Sequence, residues 1–147
     1  MHLQSKILAE QSIDQVKSFF YEPSSLAKWD KSVVKMIPTA ATENAVGSTF
    51  DTISPTGMRM NYEVIELNDR SVKIKLNNSK MFKKATWHFE FEPVGEKTLV
   101  TCHVYFTMML KYAFLYPVLY LNKKALFRDL KFFKAELDKN YAAATSS

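Results

Sequence analysis

At 147 residues the chain suits one domain of ordinary size, and a composition of 47% hydrophobic and 24% charged residues excludes a disordered or collagen-like chain. Three glycines and five prolines leave no Gly-rich phosphate loop, and a lone cysteine, Cys102, excludes an internal disulfide or cysteine cluster and suits a reducing, cytoplasmic setting. The net charge of +5 is uneven: residues 111–147 hold 7 Lys/Arg against 3 Asp/Glu, which reads as a solvated helix face, and no aromatic-basic platform points to nucleic acid.

The N-terminus alternates instead of running apolar, so it is not read as a signal peptide. Leu3, Ser5, Ile7 and Ala9 alternate with Gln4, Lys6 and Leu8 as a first strand over 3–9. Ser12 three residues before Gln15 is a capping box, and Ile13, Val16, Phe19 and Phe20 follow at helical spacing. Glu22-Pro23 ends that helix, and Ser24 or Ser25 opens a short second one carrying Leu26 and Trp29. Strands are expected over 33–38, 48–54, 58–67, 71–77, 83–93 and 98–110, with turn chemistry at Pro55-Thr56-Gly57, Asn68-Asp69-Arg70 and Val94-Gly95-Glu96-Lys97.

With Gly95-Glu96 as its loop, the last hairpin has a definite register. Phe91 faces Val100, Phe89 faces Cys102 and Trp87 faces Val104, while Glu90–Thr101, His88–His103 and Thr86–Tyr105 share the other face. One face is apolar and the other polar, as a half-buried antiparallel sheet requires. In 58–67 the apolar set switches phase after Val64, which calls for a bulge or bend there. The apolar stretch Val104–Leu121 is not read as a membrane span, because Lys111 near its middle would cost roughly 2.5–3.5 kcal/mol and Pro117 interrupts a helix. A long helix is expected to begin near Leu115 or Pro117 and end near Tyr141, leaving 142–147 as a frayed tail. Leu115, Leu119, Leu126, Leu130, Phe133 and Leu137 form one apolar stripe on it; Phe114, Val118, Leu121, Ala125 and Phe132 form a second.

The order strand, two short helices, six strands, long helix resembles the helix-grip superfamily that includes the birch-pollen allergen, START lipid-transfer domains and bacterial polyketide cyclase/dehydrase-like (SRPBCC) proteins. The resemblance spans residues 2 to about 140. It is carried by Ser12–Phe20 followed by Pro23, Leu26 and Trp29, by Trp87–Pro93, and by Leu130 with Phe132–Leu137. It implies an α+β helix-grip fold, in which a seven-stranded curved antiparallel sheet wraps a long C-terminal helix around a cavity for an apolar small molecule. It implies no particular activity, because the superfamily has no universal catalytic motif.

The residues support such a cavity independently. Trp29, Phe50, Trp87, Phe89, Phe91, Cys102, Val104 and Phe106 would wall it from one side, and Leu119, Leu126, Leu130 and Phe133 from the helix. So many large rings favour a small cavity, or a solid core in its place. Asn122, Asp129 and Glu136 recur every seven residues between the two helix stripes. If that face looks inward, Asp129 is a polar anchor or general base, the one candidate for catalysis, with Arg59 as its partner if Arg59's side of strand 58–67 also faces inward. If the helix is tilted, the three meet water. Tyr62, if inward, would bond a ligand carbonyl, and one of Asp51 and Thr52 must face in. His88 and His103 with Glu90 are read as a solvated group and not a metal site; His2 carries no signal, and Cys102 is read as an inert thiol. No nucleotide, metal or other cofactor motif appears, so no cofactor is expected.

Three functions fit. The first is binding of a hydrophobic or amphipathic, lipid- or polyketide-like molecule. The second is polyketide cyclase-like acid–base catalysis. The third is lipid handling with membrane contact through 108–121. Exposure of Phe114, Leu115, Tyr116 and Tyr120 beside Lys111, Lys123 and Lys124 would mark membrane contact or a homodimer face.

Overall fold

The computed structural model describes residues 2–22, 25–30, 33–40, 46–77, 82–115, 117 and 123–145, with backbone alone for 40, 113, 115, 123–126 and 142–145. Strands β1 (His2–Ala9), β2 (Lys35–Ala40), β3 (Thr49–Ile53), β4 (Arg59–Asn68), β5 (Ser71–Leu76), β6 (Phe82–Val94) and β7 (Lys97–Met108) form one curved antiparallel sheet in the order β1-β7-β6-β5-β4-β3-β2. Helices α1 (Ile13–Phe20) and α2 (Leu26–Trp29) follow β1, and α3 (Lys123–Thr145) closes the fold. This is the helix-grip architecture.

Local chemistry sets these elements. At the start of α1 the Gln15 amide donates to Ser12 Oγ at 3.4 Å, and the Ser12 amide donates back to Gln15 Oε1 at 3.2 Å. The last hairpin keeps the expected register, from Phe91↔Val100 through His88↔His103 to Thr86↔Tyr105. The phase switch in β4 is a bulge: pairing with β5 slips between Val64 and Glu66. Gly95, at φ 63, supplies the left-handed residue of the β6–β7 turn.

Leu130, Phe133 and Leu137 of α3 are buried with Ala9, Val16, Phe19, Phe91, Val100 and Cys102, so the stripe with helical spacing is the face the sheet grips. Phe133 lies with its ring 5.6 Å from Phe19 and 5.3 Å from Trp29. Polar ties fix the helix lengthwise. Gln11 Nε2 donates to Asp138 Oδ1 at 2.9 Å, and Tyr141 Oη donates to the Gln15 carbonyl at 2.9 Å.

Two boundaries depart from expectation. β7 stops at Met108 and a 3-10 segment, Leu110–Leu115, follows it, so Leu115 does not begin the long helix and Phe114 is on no gripped stripe. Residues 116 and 118–122 lie outside the described set, and with them Leu119, Asn122, Val118 and Leu121. At the other end α3 runs to Thr145, past Tyr141, because Ala142–Ala144 have the strongest intrinsic helix preference. Among the described residues no helix is long and apolar enough to cross a membrane.

Candidate functional site

Between the sheet and the helices lies a chamber of about 200 Å³. Its walls are Phe50 and Thr52 from β3, Tyr62 from β4, Ile74 from β5, Trp87 and Phe89 from β6, Leu26, Trp29 and Asp30 from α2 and its end, Val33, and Asp129 from α3. Strand register assembles the sheet side. Phe50 lies opposite Tyr62 and Ile74 opposite Trp87, so period-2 alternation turns all four the same way. The Tyr62 ring stacks on Phe50 at 5.3 Å and meets Trp87 edge-on at 5.5 Å.

Of the candidate residues, Trp29, Phe50, Tyr62, Trp87, Phe89 and Asp129 line this chamber. Phe91, Cys102, Phe106, Leu130 and Phe133 are buried in the core, where their neighbours fill the space, and Val104 packs against both core clusters. They are not among the residues that line this chamber, which is bounded on the sheet side by β3–β6. Leu119 and Asn122, and the side chain of Leu126, fall outside the described residues. Leu26, Asp30, Val33 and Ile74 were not expected as walls, and of Asp51 and Thr52 it is Thr52 that faces in. Ile74 was within reach of the hairpin logic, since β5 alternation places it beside Trp87.

Asp129 is half-buried, and burial first, then the nearby Asp30 charge, raises its carboxyl to about 6 despite Arg128. Its expected partner is engaged elsewhere: Arg59 Nε pairs with Asp51 on the outer side of β3. Asn61 Nδ2 also donates to Asp51, at 2.7 Å. Alternation therefore sends Thr52 inward and Asp51 outward. The Asn61 bond, followed by that from Arg59, holds the Asp51 carboxyl below the ordinary carboxylate range. An NMR titration should place its midpoint below 3.8, and Arg59→Ala should move it upward. Glu136 looks outward and pairs with Lys139 at 3.4 Å.

Burial also raises the Tyr62 hydroxyl, which bonds Thr52. Trp29 is 5% exposed, and its indole N–H is buried without an acceptor. Cys102 is fully buried, and burial together with the Asp129 charge pushes its thiol far above the ordinary range. Alkylation should accordingly be at least about a hundredfold slower in the native protein than in urea. Comparable rates would show that the grip opens readily at β7.

On the opposite face of the sheet, Glu90 Oε1 lies 3.2 Å from His103 Nε2 and 3.7 Å from His88 Nδ1. His2, which the sequence left unread, bonds His103 Nδ1 at 3.0 Å and stacks on Tyr105. Among the described residues no His/Cys/Asp/Glu group could hold a metal. Leu110 is 92% and Phe114 70% exposed in the 3-10 segment.

The sheet, the helices after β1 and the C-terminal helix define a helix-grip fold. Residues 2–138 match the family described as polyketide cyclase / dehydrase and lipid transport, and the chain belongs to it. No curated protein matches the chain. Among solved structures it is similar to a START superfamily protein from Mycobacterium smegmatis, at 14% identity and a TM-score of 0.76, over 94% of this chain and 97% of that one. It is similar to a Mesorhizobium loti protein at 12% identity and a TM-score of 0.75, over 95% and 98%. It is also similar to the di-domain aromatase/cyclase StfQ of the steffimycin biosynthetic pathway, at 16% identity and a TM-score of 0.70, over 96% of this chain and 51% of StfQ. At such identities these likenesses establish the fold alone.

Proposed function

We propose that the chamber holds a compact, mainly apolar small molecule whose polar end meets Asp129 and Tyr62. The observation that carries this reading is a partly open hollow between sheet and helices with mainly aromatic and aliphatic walls, in a family whose description names polyketides and lipids. Size restricts the occupant. A cavity of about 150 Å³ takes benzene, so about 200 Å³ takes one ring and a short substituent, or the end of a longer chain. For about ten heavy atoms, an efficiency of roughly 0.4–0.8 kcal/mol per atom, well under the ceiling of about 1.5, corresponds to millimolar to micromolar affinity. A cytoplasmic location belongs to the same reading and rests on the single buried thiol.

Both tryptophans of the chain line the chamber, so intrinsic fluorescence reports on it directly. Titration with 2-phenylethanol should give a saturable change, and Ile74→Phe, which fills the hollow, should abolish it. Native mass spectrometry of gently purified protein should show a bound molecule released on unfolding. A fluorescence signal that never saturates, or that survives Ile74→Phe in the folded protein, contradicts the proposal.

A second reading is favoured by Asp129, whose raised carboxyl suits a general base near neutral pH. Proton abstraction beside a carbonyl is the reaction it would serve. Phenylacetone in deuterated buffer should then exchange its α-protons faster with the protein than without, and Asp129→Asn should remove the excess. Exchange equal to buffer alone favours the carrier. Exposed Leu110 and Phe114 are the feature that supports lipid handling, and co-sedimentation with anionic vesicles tests it.

A further inference from the structure

The charges and rings around the chamber narrow the occupant further. Among the described wall residues the charged ones are Asp30 and Asp129, and both are acids. The remaining wall is mostly aromatic, with Trp29, Tyr62, Trp87 and Phe89 offering ring faces or edges. An ammonium group needs both features to leave water: a carboxylate to pair with and electron-rich faces to cover its remaining surface. An anion of the same shape meets two carboxylates and no cationic residue among the described walls. A neutral molecule gains the apolar burial but leaves Asp129 without a counter-charge, since that carboxylate makes no hydrogen bond or ion pair with any described residue other than the through-space pull of Arg128.

From this we infer that the chamber selects a compact organic cation, a protonated arylalkylamine in chemical class, over neutral or anionic molecules of the same shape. The inference rests on the chamber being a ligand site, as proposed above. Asp129 supplies the counter-charge, and the indoles supply cation–π faces. The groups acting on Asp129 are Asp30 at the end of α2, Arg128 on α3 and, through their own coupling or shared wall, Cys102 of β7 and Tyr62 of β4. Because the carboxyl sits at about 6 without a ligand, amine binding should strengthen as pH rises through that value.

Three probes of one ring size test this: 2-phenylethylamine, 2-phenylethanol and phenylacetate, each titrated by tryptophan fluorescence and calorimetry. At about pH 8 the amine should bind about tenfold more tightly than the alcohol, with phenylacetate weaker than both. At about pH 5 the amine should lose most of its advantage over the alcohol. In Asp129→Asn the preference for the amine over the alcohol should shrink to within about threefold. The pH series on the unaltered protein gives the same answer if that variant fails to fold. Equal affinity for amine and alcohol, or a full preference retained in Asp129→Asn, overturns the inference and leaves the ligand site standing. Failure of all three probes to bind removes the site and the inference together.

Discussion

Replacing Phe133 with Ala should destabilise the protein by about 3–5 kcal/mol, the range for a large aromatic removed from a closed core. Phe133 is 1% exposed and is the ring through which α3 touches α1 and α2, beside Phe19 and Trp29. Its loss leaves a void that the sheet cannot close, because the neighbouring strands are held in register on both sides. Urea unfolding would show the drop as a lower midpoint at an unchanged slope, and thermal unfolding as a fall of roughly 10 °C or more. Phe127, six residues earlier on the same helix, is the control: it is 39% exposed, and its Ala variant should cost under about 1 kcal/mol. If the two variants behave alike, α3 is not gripped through the Phe133 face.

Asp129→Asn should have the opposite sign. The carboxyl is raised from an ordinary 3.8 to about 6, so between these values the folded protein holds a proton that the unfolded chain has released. Stability therefore falls as pH rises through this window, and the penalty is complete above about 6. The full shift would correspond to about 3 kcal/mol, but Asp129 is only half-buried and water screens much of it, so about 1 kcal/mol is expected. The Asn variant should be more stable than the parent by that amount at about pH 7.5, and the gain should vanish below about pH 4. A pH-independent gain would point to a packing effect. A loss at neutral pH would mean that the carboxylate is satisfied in the fold.

What the sequence disclosed follows from which forces are local. The capping box at Ser12 involves groups three residues apart, and the β6–β7 register follows from one turn and strict alternation, so both could be read directly. The β4 bulge was visible because a two-residue period cannot change phase without one. Asp129 was singled out by its place between two apolar stripes, and it does line the chamber. Its partner was misjudged because Arg59 and Asp51 meet across the β3–β4 pairing, and which of Asp51 and Thr52 turns inward depends on that long-range register. Of the two expected starts of the long helix, Leu115 is excluded because the backbone of Leu110–Leu115 is 3-10 although its apolar periodicity continues, and residues 118–122 after Pro117 lie outside the described set. His2 gave no signal alone; its pairing with His103 exists only once β1 lies against β7.

The decisive measurement is a crystal structure of the protein soaked with 4-iodophenol, a ring of about the right size that carries its own anomalous scatterer. Iodine density should appear in the hollow bounded by Trp87, Tyr62 and Asp129. Iodine confined to the outer surface, or side chains closing that hollow so that no ring enters, would contradict a ligand-binding chamber in this fold.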